Sequence, residues 1–410
     1  MPNLRPWTRA LLTAAWLVML PAIAEAQQYF GRNHVQFKQL DWRVLKTAHF
    51  DLHYYPEMQE AAVIAGRMAE RSYARLSRIF NHTFRERKPI IVFASRGDFA
   101  QNNAFGDLGE GTGGVTDALR QRNMFFFAGD LKEAEHVLAH EMVHQFQYDI
   151  FARGRAGANL ESLAAFAPPL WFMEGMAEYL SIGRGHAATE TIMRDAAING
   201  DIPSIEAMTY RPDLYFPYRF GESLIEYIAV RWGDEVVGEI MQATPGVGVE
   251  RAIRRHTGLT IDELGEEWKE AMQLKHLPQL ADRERARRFA QPMLTPRRTG
   301  GSAGIYLAPA LSPDGRNIVF LSTGSFARAE VFLDLFLGDA NTGKTIKRLT
   351  KSTLNPEFEE LRSAYSQSAF SPDGRMVAFT AQRQGKDVLY LLDVRTRREV
   401  RRLDTGLDQM

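Results

Sequence analysis

The residues most suited to chemistry are those of Leu138-Ala139-His140-Glu141-Met142-Val143-His144-Gln145-Phe146. On a helix, positions i and i+4 differ by about 40° around the axis and ~6 Å along it. His140 and His144 therefore present two imidazoles on one face, from successive turns, to a single metal ion. Glu141 sits beside the pair on the flank facing His144, where it can take a proton from metal-bound water without being a ligand. His136 lies one turn earlier, but ~12 Å along the axis from His144, while zinc–nitrogen bonds are ~2.1 Å. It is expected to be a packing or surface histidine.

A second helix is predicted just after Pro168-Pro169, in Trp171-Phe172-Met173-Glu174-Gly175-Met176-Ala177-Glu178-Tyr179. Its two carboxylates, Glu174 and Glu178, again stand at i and i+4. This segment resembles the second zinc helix of gluzincin metallopeptidases, in which Glu-Gly follows Trp or Phe. The resemblance implies that Glu174 is the third ligand and that Glu178 is an acceptor holding a ligand histidine in its tautomer. Two His and one Glu leave a fourth position open, as a catalytic zinc site requires. One Zn2+ per chain follows. Pro217-Tyr218-Arg219-Phe220-Gly221 resembles the Tyr-x-x-Gly segment of the one-zinc aminopeptidases, and by that likeness Tyr218 stabilises the oxyanion. Leu259 to Trp268 resembles the closing helices of peptidase-MA-like domains. The aminopeptidase Gly-x-Met-Glu-Asn motif is replaced by Gly113-Gly114-Val115-Thr116-Asp117, so the expectation is endopeptidase action rather than release of N-terminal residues.

The elements that must position these residues follow from patterning. Phe50 to Tyr55 alternates as a strand, and residues 57 to 80 carry helical spacing. Pro89 to Ala94 and Asn123 to Ala128 are short apolar runs of strand length. A mostly helical half follows, from about Leu131 to Leu274. The predicted class is α+β: a thermolysin-like, gluzincin-type unit of small sheet plus helical lobe over residues 27–276. The strand over 123–128 is expected to offer its edge to an extended substrate. Residues 277–304, rich in Pro, Gly and Arg, read as a linker, with Arg283 to Arg288 a solvated charge run.

Beyond it the chain repeats. Ser312-Pro313-Asp314-Gly315-Arg316 and Ser371-Pro372-Asp373-Gly374-Arg375 each precede an apolar strand. A second matched block runs over Leu335 to Leu349 and Leu389 to Leu403. Strand, Pro-Asp-Gly turn and strand in repetition is a propeller-blade pattern, and it resembles the repeats of TolB-like β-propellers. Residues 305–410 are read as two blades of an incomplete all-β propeller, a surface for binding another protein. Two blades fall short of the roughly four to eight that close a ring. The expectation is therefore a portion of a longer chain, or a ring completed between subunits.

Composition bounds the rest. Lys plus Arg and Asp plus Glu are 50 each across 410 residues, so no net charge calls for nucleic acid. There is no cysteine, which excludes disulfides, thiolate metal sites and a lipid-anchoring Cys. Arg5 and Arg9, the apolar run Ala10 to Ala24 and Ala24-Glu25-Ala26 read as a cleavable signal peptide over 1–26. Export to a periplasm and no membrane span in the mature chain follow. The functional expectation is a secreted zinc metallopeptidase acting on a peptide or protein. Two alternatives stay open: a peptidase-like binding protein without turnover, and a zinc hydrolase of a non-peptide amide or ester.

Overall fold

The computed structural model describes residues 34–410 apart from 106–107, 110, 128, 154–167, 213, 282–283, 300–304, 324–332, 352–358, 364–366 and 408–409. The signal peptide expected over 1–26 lies outside the described residues. So do Arg283 and the glycines Gly300, Gly301 and Gly304 of the expected linker.

Five strands build the first sheet: β1 (Arg43–Lys46), β2 (Phe50–Tyr54), β3 (Lys88–Phe93), β4 (Gly114–Asp117) and β5 (Arg122–Phe126). Their order is β1-β2-β3-β5-β4. β2, β3 and β5 run parallel, while β1 and β4 are antiparallel to their neighbours. A parallel pair needs a long crossover. Helix α1 (Gln59–Ile79) supplies it between β2 and β3, burying Ala62, Ala65, Met68, Ala69, Tyr73 and Leu76.

The strand expected over 123–128 has no free edge, because β5 lies between β3 and β4. Met124, Phe125 and Phe126 are all buried, and a continuous apolar run of this kind belongs inside a sheet covered on both faces. The edge belongs to β4, whose short Gly-Val-Thr-Asp sequence carries no apolar signal of its own.

After α2 (Arg96–Ala100), helices α3 (Leu131–Arg153), α4 (Leu170–Ile182), α5 (Ala187–Asn199), α6 (Ile205–Tyr210) and α7 (Pro217–Trp232) form the helical half. It closes with α8 (Asp234–Val247), α9 (Val249–Thr257) and α10 (Ile261–His276). α3 packs against α1, β4 and β5 on one side and α4 on the other, and α4 packs in turn on α7. Leu138, Met142, Val143 and Phe146 of α3 join Trp171, Phe172 and Met176 of α4, Leu224 and Ile228 of α7 and Trp268 of α10 in one buried core. Helix α10 begins with a capping box, Thr260 and Glu263 each satisfying the other's backbone N–H.

A short helix α11 (Pro296–Thr299) leads to two further sheets. Strands β6 (Tyr306–Leu311), β7 (Asn317–Ser322), β8 (Asp334–Asp339) and β9 (Thr345–Arg348) form the first. The second contains β10 (Glu360–Leu361), β11 (Ala369–Phe370), β12 (Met376–Arg383), β13 (Lys386–Asp393) and β14 (Glu399–Leu403). The repeat is reproduced bond by bond. Ser312 Oγ donates to Asp314 Oδ1 at 2.6 Å and Ser371 Oγ to Asp373 Oδ1 at 2.5 Å. Asp339 and Asp393 each accept from a backbone N–H three residues on, at 2.7 Å. The two sheets bury Val319, Leu335 and Leu337 against Val377, Phe379 and Tyr390. Among the described residues none of the sheets closes into a barrel, and the fold is α+β with an all-β C-terminal part.

Candidate metal centre

The apolar face of α3 fixes the direction of its polar face. With Leu138, Met142 and Val143 fully buried beneath the sheet, His140, Glu141 and His144 turn toward α4 and β4, each less than a tenth exposed. Glu174 projects from α4 to meet them. His140 Nε2 lies 3.2 Å from His144 Nε2 and 3.3 Å from Glu174 Oε2, and His144 Nε2 lies 3.2 Å from the same oxygen. A tetrahedral ion with bonds of ~2.05 Å has ligand–ligand edges of about 3.3 Å. The triangle of three atoms matches one face of such a tetrahedron.

The outer ring nitrogens show which atoms face inward as lone pairs. His144 Nδ1 donates to Gln147 Oε1 at 2.8 Å, and Gln147 is oriented by its own donation to the Met173 carbonyl at 3.1 Å. His140 Nδ1 lies 3.2 Å from Glu178 Oε1, close for charge attraction though off the angle of a well-formed hydrogen bond. With both Nδ1 atoms engaged outward, two Nε2 lone pairs and a carboxylate oxygen converge on one point. Such a donor set repels itself unless a cation or a proton lies between its members. These residues fit a zinc ion.

Around this triangle stand three more groups. Thr116 Oγ1 on β4 donates to Glu141 Oε2 at 2.6 Å. The β4 backbone passes so close that a Cβ on Gly114 would sit 2.8 Å from Glu141 Cγ. The Tyr218 ring stacks on His140 at a centroid distance of 6.0 Å, and the Tyr148 ring stacks on His144 at 6.0 Å. Tyr218 arrives on the first turn of α7.

Electrostatics at the centre follow from burial and charge together. Burial opposes the His140 imidazolium, but the neighbouring carboxylates of Glu174 and Glu178 overcome it and raise its pKa to about 10. Burial alone would raise Glu174, yet the charges and hydrogen bonds of His144 and His140 hold it well below the carboxylate range. Burial raises Glu141, the direction that suits a group taking up a proton near neutrality. Burial, with the charges of Glu174 and Glu141, pushes the Tyr218 phenol far upward, so it remains a donor. Tyr148 is pushed up to about 12 by burial and the same two carboxylates.

The structure thus brings His140, Glu141, His144, Glu174, Glu178 and Tyr218 together around one point. His136 lies outside it. Its Nδ1 meets Ser181 Oγ at 3.0 Å, and burial lowers its pKa to about 4, leaving a neutral ring. Thr116, Tyr148, Gln147 and Arg219, whose Nη1 lies 2.6 Å from Glu178 Oε2, also contribute and were missed in the sequence. Gln147 carried a usable signal, standing three residues after His144 on the same helix face. Thr116 and Arg219 carried none, since their partners come from distant elements.

No family model matches the chain, and no curated protein matches it. Among solved structures, TolB from Acinetobacter baumannii shows a partial likeness. The identity is 29% over 25% of this chain and 21% of that one, with a TM-score of 0.19. This chain therefore spans about a fifth of the TolB chain it matches. Among the described residues no helix is long and apolar enough to cross a membrane.

Proposed function

We propose that this chain is an exported zinc-dependent metallopeptidase of the gluzincin kind, joined to TolB-like β-propeller blades. One observation carries the proposal: the 3.2–3.3 Å triangle of His140 Nε2, His144 Nε2 and Glu174 Oε2, with Glu141 next to His140 on the same helix and the Tyr218 ring stacked on His140. His140, His144 and Glu174 would hold the ion. Zinc supplies a Lewis acid that polarises an amide carbonyl and makes water a nucleophile at neutral pH.

The chain's own residues do the rest. Glu141, held at Oε2 by Thr116, would take the proton of the attacking water at its other oxygen, Oε1. It then passes that proton to the leaving amine. Tyr218 donates its hydroxyl hydrogen to the developing oxyanion. The outer edge of β4, unpaired among the described residues, runs beside Glu141 and suits backbone pairing with an extended peptide. Export is supported by the charged start, apolar run and Ala-Glu-Ala site of residues 1–26. The propeller reading is supported by the repeated Ser-Pro-Asp-Gly-Arg turns and the paired sheets.

The test is metal analysis with a peptide-library digest. Wild type should carry one zinc and cleave within peptides. Glu141→Gln should keep the metal and lose most turnover, and His144→Ala should lose the metal. Undiminished cleavage by Glu141→Gln would overturn the proposal. Zinc binding without hydrolysis of any peptide would favour the binding-protein alternative, and turnover confined to non-peptide amides or esters the other.

A further inference from the structure

Behind the His140–Glu178 contact lies a buried charge cluster that the proposed reaction does not use directly. Glu178 is 5% exposed and Glu222, on α7, is fully buried. Arg219 Nη1 lies 2.6 Å from Glu178 Oε2, 2.9 Å from Glu222 Oε2 and 3.0 Å from His186 Nδ1. Thr189 Oγ1 donates to Glu222 Oε2 at 2.5 Å, and His186 Nδ1 stands 3.3 Å from Glu222. Glu178, His186 and Glu222 have the spacing of a second cation site. The guanidinium stands where such an ion would be drawn, so a positive charge is already in place between the two carboxylates.

The arrangement gives each oxygen of Glu178 a separate task. Oε2 is tied to Arg219, while Oε1 faces His140 Nδ1. A carboxylate anchored at one oxygen cannot rotate freely about its last bond, so the other is held toward the imidazole. Arg219 Nη1 also bridges the buried carboxylates of two neighbouring helices, Glu178 on α4 and Glu222 on α7. Arg219 follows Tyr218 directly. One turn of α7 therefore supplies the oxyanion donor on the metal side and the anchor on the far side.

We infer that Arg219 is a positioning residue for the metal centre, acting through Glu178 to orient His140. The inference rests on the zinc-site reading above, and its test separates the two. Zinc affinity of the full chain is measured by competition with a chromophoric chelator, for wild type, Arg219→Met, Arg219→Lys and Glu178→Gln, and for each Arg219 change combined with Glu178→Gln. A wild type that takes up no zinc overturns the metal-centre reading before any variant is compared.

With zinc bound, Arg219→Met should weaken affinity roughly tenfold or more, as lost partners of metal ligands usually do. Arg219→Lys, which keeps the charge but not the fork, should show a smaller loss of about threefold. In the Glu178→Gln background neither change should cost further affinity, because the residue through which Arg219 acts is already altered. A merely structural arginine would give equal losses in both backgrounds, and that result overturns the inference. So does wild-type affinity in Arg219→Met. Should Arg219→Met fail to fold, Arg219→Lys in the two backgrounds decides the matter alone.

Discussion

Gly175 on α4 and Gly221 on α7 meet backbone to backbone. A Cβ placed on Gly175 would lie 2.3 Å from the carbonyl carbon of Gly221, and one on Gly221 would lie 2.2 Å from the carbonyl oxygen of Trp171. This contact sets how near α7 comes to α4, and hence whether Tyr218 and Arg219 reach Glu174 and Glu178. The two glycines belong to the Glu-Gly and Tyr-x-x-Gly segments of the sequence.

Gly221→Ala should destabilise the chain by about 3 kcal/mol, since a methyl group must displace backbone rather than a flexible side chain. Gly246, also helical but with open space at its Cβ position, is the control. Gly246→Ala should be neutral or stabilising by up to about 1 kcal/mol. Denaturant unfolding of both variants checks this, and equal effects would refute the packing argument.

Tyr218→Phe should lower kcat by about two to three orders of magnitude if the hydroxyl stabilises the oxyanion. Zinc content and unfolding midpoint should not change. A variant with normal kcat would reduce Tyr218 to a ring packed on His140.

Thr116→Val removes the hydrogen bond to Glu141 Oε2 while keeping the side chain's shape. Freed from that anchor, Glu141 should be misaligned for proton transfer, and kcat should fall roughly tenfold with KM little changed. Steady-state kinetics on a good peptide substrate provide the check. A change confined to KM would place Thr116 in substrate binding along β4 instead.

The stabilisation conferred by zinc should increase with pH. In the ion-free chain His140 has its pKa raised from 6.5 to about 10, because Glu174 and Glu178 outweigh the effect of burial. A raised folded-state pKa contributes stability that is complete below 6.5 and is lost as pH rises toward 10. The zinc-loaded chain needs no proton there, so it escapes that loss. The difference in Tm between loaded and chelated protein should therefore widen across this window. A difference that narrows with rising pH would contradict the assignment of His140.

Much of this organisation was legible in the sequence because it is local. The i, i+4 pairs on α3 and α4 follow from helical geometry alone, and the Pro-Asp-Gly turns from their own turn-forming residues. The strand cores Ile90–Val92 and Met124–Phe126 were visible as apolar runs, and the α+β class with them. What an apolar run does not disclose is its neighbour. Residues 123–126 look alike whether they lie at an edge or inside a sheet, so the edge was assigned to β5, whereas β4 occupies it.

The centre itself was decided only by the tertiary structure. His140 and His144 come together through one turn of helix, but Glu174 joins them from another helix. Thr116 arrives from an edge strand and Arg219 from a third helix. Which carboxylate faces the histidines depends on how closely α4 and α7 approach, and a pair of glycines in contact sets that distance. Local spacing specifies which side chains share a face. Only packing specifies which faces meet.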